Sequence, residues 1–346
     1  MANSKQQRVV LFSLLILFSV ALTACAVASA SDEEIEGSWE SSAHADAESR
    51  SFTRWNDEDP PEIPANCAKC HSTHGYLDFL GADGSSPGQV DQPAPLGTTI
   101  ECEACHNDVT KEKDSAVVPS GLKLTDLGKE ASCIECHQGR ASSLQLNEAI
   151  EGLPPDALHE DLSMPNIHNN PAGATFHGTL AKGGGEYPNQ SYMEQFYHNF
   201  DTCISCHDAH TLQVRVENCS ACHLGANTIE AVRDIRLSNV DYDGDGDTTE
   251  GISGEIETMA EKLLLTIRLY PLTAEGVEAI EFDGRFVDQA GENYATWTPR
   301  LLQAAYNYQY ADKDPGSYSH NPRYIVQLLY DSISDLGGST RGMTRP

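Results

Sequence analysis

Apolar residues recur at helical spacing in the C-terminal third of the chain. In 254–270 the spacing predicts a helix with one apolar face, formed by Ile256, Met259, Leu263, Leu264 and Ile267. Two further helices are predicted after it. One begins at Pro299 and continues to about residue 310, and the other begins at Pro322 and stops at Gly337, because proline suits a first helical turn and glycine follows a last one.

The middle of the chain has a different pattern. From 31 to 250 aliphatic residues are sparse, and glycine and proline interrupt the runs, so that short helices and long loops are predicted. The fold class is therefore mainly α with long irregular loops, with a core that side chains alone do not build. After the leader, no segment is apolar enough to cross a membrane.

The leader combines a basic start with an apolar run from Val9 to Ala21. This run is shorter than the roughly 20 residues that span a bilayer, but it fits a secretory signal. An A-x-A sequence that ends at Ala30 offers an ordinary cleavage site, whereas L-T-A-C, which ends at Cys25, resembles a bacterial lipobox. Cys25 is the odd cysteine of eleven. We therefore predict a lipoprotein signal peptide at 1–24 and a lipid on Cys25.

The charge of the chain excludes one class of partner. There are 22 basic and 52 acidic residues, which give a net charge of −30 at pH 7. Such a charge argues against nucleic-acid binding and favours cationic or metal partners.

A C-x-x-C-H motif occurs five times. Its cysteines are Cys67, Cys70, Cys102, Cys105, Cys133, Cys136, Cys203, Cys206, Cys219 and Cys222, and its histidines are His71, His106, His137, His207 and His223. In an exported chain this motif attaches haem c: the two thiols bond the haem, and the histidine binds iron. Zinc sites also use C-x-x-C pairs but need no histidine after each one, and disulfides would leave the histidines unexplained. Five covalent haems are predicted.

Eight of the thirteen histidines remain, and five of them would be enough to give every haem iron a second histidine ligand. Two of the eight follow a motif histidine by three residues and can serve a neighbouring haem. The predicted distal ligands are His74, His168, His198, His210 and His320. His177 is the reserve candidate, and His44 and His159 lie in acidic loops where we expect them to be solvated.

All five motifs fall within 67–223, and the last two begin 16 residues apart. So short a chain cannot wrap each haem separately. We therefore expect the haems to pack on one another as a continuous chain that forms the core of this region.

Residues 167–346 resemble the multihaem extracellular cytochromes of metal-reducing bacteria, including those that form filaments. The shared features are I-H followed by small residues from 167, G-G-E-Y at 184–187, F-x-H at 196–198 leading into C-x-x-C-H-x-x-H-T-L, and S-H-N-P at 319–322. The resemblance implies that His168, His198, His210 and His320 are distal ligands. His177 departs from the family pattern, so His168 and His177 remain alternatives for one ligand position.

Four regions follow from these features. They are a signal peptide at 1–24, an acidic flexible tether at 25–63, a pentahaem domain at 64–225 and a C-terminal helical part at 226–346.

The last region contains D-Y-D-G-D-G-D at 241–247, which reproduces positions 1, 3, 5, 6 and 7 of an EF-hand loop. The candidate calcium ligands are Asp241, Asp243, Asp245 and Asp247. Position 12 is Ile252 in place of glutamate. The nearby substitutes are Glu250, Glu255 and Glu257, and a plain acidic turn is the alternative.

We expect an electron carrier at the cell surface that relays electrons through bis-histidine haems, with no catalytic residues and with filament formation as a further option. The alternative is a multihaem reductase, similar to pentahaem nitrite reductases, with one open haem. Those enzymes usually have a C-x-x-C-K motif, which this chain lacks. The expected partners are other redox proteins or extracellular electron acceptors, and the lipid is the only expected membrane contact. The expected location is the cell surface, the outer membrane or the medium.

Overall fold

A computed structural model describes residues 31–236 and 238–346. The predicted signal peptide, both candidate cleavage sites and Cys25 lie outside these residues. Within them, no helix combines the length and the apolar character that a bilayer span needs.

Short elements make up the first two thirds of the described chain. The helices are α1 (Asp32–Glu40), α2 (Arg50–Thr53), α3 (Ala65–His71), α4 (Thr73–Leu80), α5 (Cys102–Cys105), α6 (Asp108–Glu112), α7 (Ala131–Cys136), α8 (Ser143–Ile150), α9 (Ala172–His177), α10 (Cys203–Cys206), α11 (Val216–Ser220) and α12 (Ile229–Arg233), with 3-10 turns at Gly128–Glu130 and Gly178–Leu180. Two antiparallel pairs join β1 (Glu62–Ile63) to β2 (Ala94–Pro95) and β3 (Ala116–Val117) to β4 (Lys123–Leu124). The predicted fold class, mainly α with long irregular loops, is confirmed.

Longer helices form the C-terminal part. They are α13 (Ile252–Leu269), α14 (Pro299–Asp312), α15 (Ser317–His320) and α16 (Pro322–Asp335), with a 3-10 turn at Tyr270–Leu272 and an antiparallel pair of β5 (Glu281–Phe282) and β6 (Phe286–Val287). The three helices predicted from apolar spacing and from the positions of proline and glycine are confirmed as α13, α14 and α16. The side chains of Thr298 and Asn321 cap the last two by accepting backbone N–H groups of their first turns.

The largest hydrophobic core lies where α13, α14 and α16 pack together. Its fully buried side chains include Met259, Leu263, Ile267, Trp297, Leu301, Tyr306, Tyr324 and Leu329. Burial of this apolar surface is the main stabilising term for the C-terminal part.

The same hydrophobic core includes residues that precede the predicted domain boundary at residue 225. Leu146 and Ile167 belong to it, and the Tyr306 hydroxyl donates to the carbonyl of Gly183 at 2.8 Å. Glycine is needed in this stretch, because a Cβ on Gly184 would overlap Leu328. The C-terminal helices are therefore built onto the segment between the third and fourth motifs.

Around the motifs, by contrast, the side-chain clusters are small. One surrounds Ile134, a second joins Trp55 to Ile63, and a third contains Tyr76 and Leu80. Clusters of this size agree with a region in which side chains supply only part of the core.

The structure differs from the predicted flexible tether over 31–63. Helices α1 and α2 form there, and Phe52 and Trp55 are each only 7% exposed. The Trp39 indole N–H donates to the carbonyl of Ile100 at 2.9 Å, and the Ile100 N–H donates to the carbonyl of His44 at 3.1 Å. Trp39, Phe52 and Trp55 thus hold segment 31–63 in place, although its low aliphatic content suggested disorder.

Candidate haem sites

Each C-x-x-C-H motif forms a single helical turn. In the first four motifs both cysteines lie in one helix, namely α3, α5, α7 and α10, and the fifth begins in α11. In the second to fifth motifs the histidine N–H donates to the carbonyl of the first cysteine at 2.7 to 2.9 Å. Residues three apart lie on one face of a helical turn, so the two thiols share a face and the histidine ends the turn.

Every motif histidine has a second histidine ring beside it. The pairs are His71 with His168, His106 with His210, His137 with His44, His207 with His320, and His223 with His198. The ring centres within a pair are 5.7 to 6.4 Å apart. Two imidazoles that bind one metal from opposite sides, at about 2 Å per bond, place their ring centres roughly 6 Å apart. The five pairs, each beside two thiols, therefore fit the donor set of five haems c.

Hydrogen bonds orient two of the motif rings. The Nδ1 of His71 lies 2.9 Å from the carbonyl of Ser51, and that of His207 lies 3.2 Å from the carbonyl of Leu212. A carbonyl oxygen can only accept, so Nδ1–H is the donor in both rings and Nε2 is left for a metal. Such outer contacts are typical of metal-binding histidines.

The distal rings of two pairs have contrasting contacts. Nδ1 of His320 lies 2.8 and 2.9 Å from the two carboxylate oxygens of Asp314. Burial opposes a charge on His320, but Asp314 outweighs burial and raises the pKa of His320 above its usual value. In His198, Nδ1 instead accepts the N–H of Phe200 at 3.2 Å.

Burial keeps several of the paired rings neutral. It lowers the pKa of His44 to about 4, and the neighbouring His137 adds to this effect. Burial is also the largest cause of the lowered pKa values of His71, His137, His168 and His207. The neutral imidazole is the form that binds a metal.

Four of the predicted distal ligands stand in these pairs, and one does not. Within the described residues, His74 is exposed on α4 and its ring pairs with no motif histidine. His44, which we expected to be solvated, takes the fifth place beside His137. His159 is partly buried and outside the described pairs, and His177 is 5% exposed with no hydrogen-bond partner at Nε2.

Local folding explains why two H-x-x-H sequences behave differently. After His71 the chain enters α4 at once, capped by Ser72, and Gly75 packs so tightly on Ala68 that a Cβ would overlap it. After His207 the chain makes a turn that pairs this residue with Val214. The turn brings His210 to the second motif, whereas α4 carries His74 outwards.

The first and third motifs are in direct contact. The Sγ of Cys70 lies 4.0 Å from the carbonyl of Glu135, and the Sγ of Cys136 lies 3.9 Å from that of Lys69. The Lys69 ammonium also pairs with the buried Glu135 carboxylate at 2.5 Å, and Lys113 pairs with it at 2.8 Å. Residues inside two separate motifs therefore hold these motifs together.

Contacts continue to the last two motifs. The Glu130 carboxylate, at the start of α7, accepts the N–H of Cys203 in the fourth motif. The Asn218 amide, next to the fifth motif, donates to the carbonyl of Ser205 at 2.6 Å. The spatial order thus runs from the first motif to the third, fourth and fifth. The second motif contacts α4, which follows the first motif, and it is also joined to His210, which follows the fourth.

A separate carboxylate cluster lies in the C-terminal part. One group contains Asp241, Asp243 and Glu255, and a second contains Asp243, Asp245 and Glu250, with ligand atoms in each group within 4.8 Å of one another. Asp247 and Glu257, which the sequence also suggested, are in neither group.

Comparisons with known proteins give one relative. No protein-family model matches the chain, and no solved structure matches it. The chain is similar to the C-type polyheme cytochrome OmcC of Geobacter sulfurreducens, with 23% identity over 386 aligned residues. The alignment covers 92% of this chain and 48% of the relative, so that the chain spans about half the length of that protein. This similarity supports the expected resemblance to multihaem c-type cytochromes of metal-reducing bacteria.

Proposed function

We propose that this chain is an electron-transfer protein with five haems c, each attached by one C-x-x-C-H motif. The observation that carries the proposal is the pairing of all five motif histidines with five other histidines, at ring-centre distances of 5.7 to 6.4 Å. A bound haem supplies an iron that accepts and releases one electron. The two thiols of each motif would attach one haem, and the two paired imidazoles would hold its iron.

The pairing favours a relay over a reductase. An iron with two histidine ligands has no position free for a substrate. A reductase would need at least one motif histidine without a partner ring, and in 31–236 and 238–346 each of the five has one. The same reading accounts for the buried, neutral rings, because neutral imidazole is what iron binds.

The contacts between motifs support a path for electrons. Direct links join the first motif to the third and the third to the fourth, through Glu135 and Glu130 respectively. Because each haem would be bonded to such a turn, neighbouring haems would be held at fixed separations. Electrons would then pass along the spatial order of the motifs, which is not their order in the sequence.

The partners and location follow from the same proposal. We propose an exported protein, anchored by a lipid on Cys25, that passes electrons to other redox proteins or to extracellular acceptors. Its net charge of −30 would attract cationic acceptors. All five pairs form within one chain, so the ligands do not require a second copy, and self-association into filaments rests on the family resemblance.

Haem counting and spectroscopy test the proposal. The purified protein should keep its haem after denaturation and acid extraction, and its mass should correspond to five haems. The oxidised protein should show low-spin iron by electron paramagnetic resonance, and the reduced protein should bind little carbon monoxide. Three or fewer haems would contradict the proposal, and a dominant high-spin signal would favour the reductase.

A further inference from the structure

We propose that the acidic loop at 241–250 is a calcium site in which Asp243, Asp245 and Glu250 bind the ion. This site is independent of the haem proposal, because it lies outside the five motifs and uses none of their residues.

Two buried oxygen atoms without hydrogen-bond partners point to a cation site. Asp243 is 0% exposed, and its Oδ1 accepts the N–H of Asp245 at 3.0 Å, but its Oδ2 has no hydrogen-bond partner. The Oε1 of Glu250 is also buried without a partner. Carboxylate oxygens that are buried and unpaired are costly unless a cation or donor meets them. Both residues belong to one group of ligand atoms within 4.8 Å of one another, which Asp245 completes.

The nearest basic groups do not meet these oxygens. The Lys262 ammonium donates to the backbone carbonyl of Asp243, and Arg236 pairs with Glu255. Neither cation therefore reaches Oδ2 of Asp243 or Oε1 of Glu250.

In the other candidate group, Asp241 and Glu255 already accept backbone N–H groups of the loop. The Oε2 of Glu255 accepts the N–H groups of Tyr242 and Asp243 at 2.6 and 3.1 Å. The two carboxylate oxygens of Asp241 accept the N–H groups of Gly244 and Gly246. These two carboxylates shape the loop. Glu250 takes the place of the glutamate that an EF-hand loop has at position 12.

The donor set selects calcium among common ions. All three side chains offer oxygen, which hard cations prefer. The ligand atoms lie within 4.8 Å of one another, close enough to share one hard cation, and the D-x-D-x-D-G order of the loop is that of calcium loops. Waters and backbone carbonyls would complete the six to eight ligands of calcium.

The acidic loop at 241–250 also contacts the last residues of the described chain. Gly244 packs against Gly342 and Met343, where a Cβ would come within 2.6 Å, and the Thr344 N–H donates to the carbonyl of Tyr242 at 3.1 Å. Calcium would therefore fix the contact between the start of α13 and the segment after α16.

Titration of the chelator-treated holoprotein with calcium chloride alone tests the site. We expect one calcium per chain by calorimetry and a higher melting temperature with calcium than with chelator, because an ion that binds only the folded state stabilises it. Magnesium chloride should bind more weakly. Equal melting temperatures together with no heat of binding would overturn the proposal.

Matched variants locate the ion. Asp243→Asn and Glu250→Gln should each weaken calcium binding by about tenfold or more, since affinity follows the number of charged ligands. Asp247→Asn, in the same loop, should leave it unchanged, because the Asp247 carboxylate accepts from Thr249 and belongs to neither group. An unchanged haem spectrum verifies folding in each case, and if Asp243→Asn does not fold, Glu250→Gln decides. An equal loss in Asp247→Asn would overturn the assignment.

Discussion

At the scale of single residues, His44 offers a direct test of the haem sites. Its ring centre lies 6.3 Å from that of His137, and its backbone carbonyl is held by Ile100. His44→Ala should convert one of five haems to high spin, because a small apolar side chain leaves one iron position open. Electron paramagnetic resonance and carbon monoxide binding to about one fifth of the haem would measure this change.

His74→Ala is the matched control for that experiment. His74 follows its motif as His210 follows the fourth, but it is exposed and pairs with no motif histidine in the described chain. The variant should keep the parent spectrum. If His74→Ala opened a haem and His44→Ala did not, the pairing in the structure would be wrong for the third site.

At the scale of elements, local signals determined what the sequence could predict. Apolar spacing and the caps at Thr298 and Asn321 act within a few residues, and they predicted all three long helices. The five motifs are equally local. The place of His44 depends on contacts between 31–63 and Ile100, which no periodic pattern records. The spatial order of the motifs was hidden for the same reason, since it depends on single ion pairs such as that of Lys69 with Glu135.

The helix α16 should contribute strongly to stability. Leu329 is 0% exposed in the core shared with α13 and α14. Leu329→Ala should lower the free energy of unfolding by about 2–5 kcal/mol, through lost burial and the cavity left behind. Chemical denaturation followed by far-ultraviolet circular dichroism would measure this loss.

Leu265 provides a control with the same chemical change. It lies in α13 but is 57% exposed, so Leu265→Ala should change stability by no more than about 0.5 kcal/mol. Similar losses in the two variants would mean that α16 does not pack as described.

At the scale of the whole molecule, the proposed lipid on Cys25 would determine where the proposed electron carrier acts. Cys25→Ser removes the thiol that would receive the lipid, and one lipidated residue is the only membrane contact that we predict. The variant should therefore move from the membrane fraction to the soluble or culture fraction. Cell fractionation followed by haem staining would show the change, and unchanged membrane association would contradict lipidation.

The positions of His44 and His320 impose an order in time on the assembly of the protein. His44 precedes the third motif, so if the chain is exported with its N-terminal end first, His44 would leave the cytoplasm before that motif. His320 follows the fourth motif by 113 residues, and α15, which carries it, sits between two helices of the C-terminal core. The proposed fourth haem would therefore be the last to receive its second histidine ligand. If His320 holds the iron of that haem, a chain cut before residue 320 would leave one iron position open to small ligands such as carbon monoxide or peroxide.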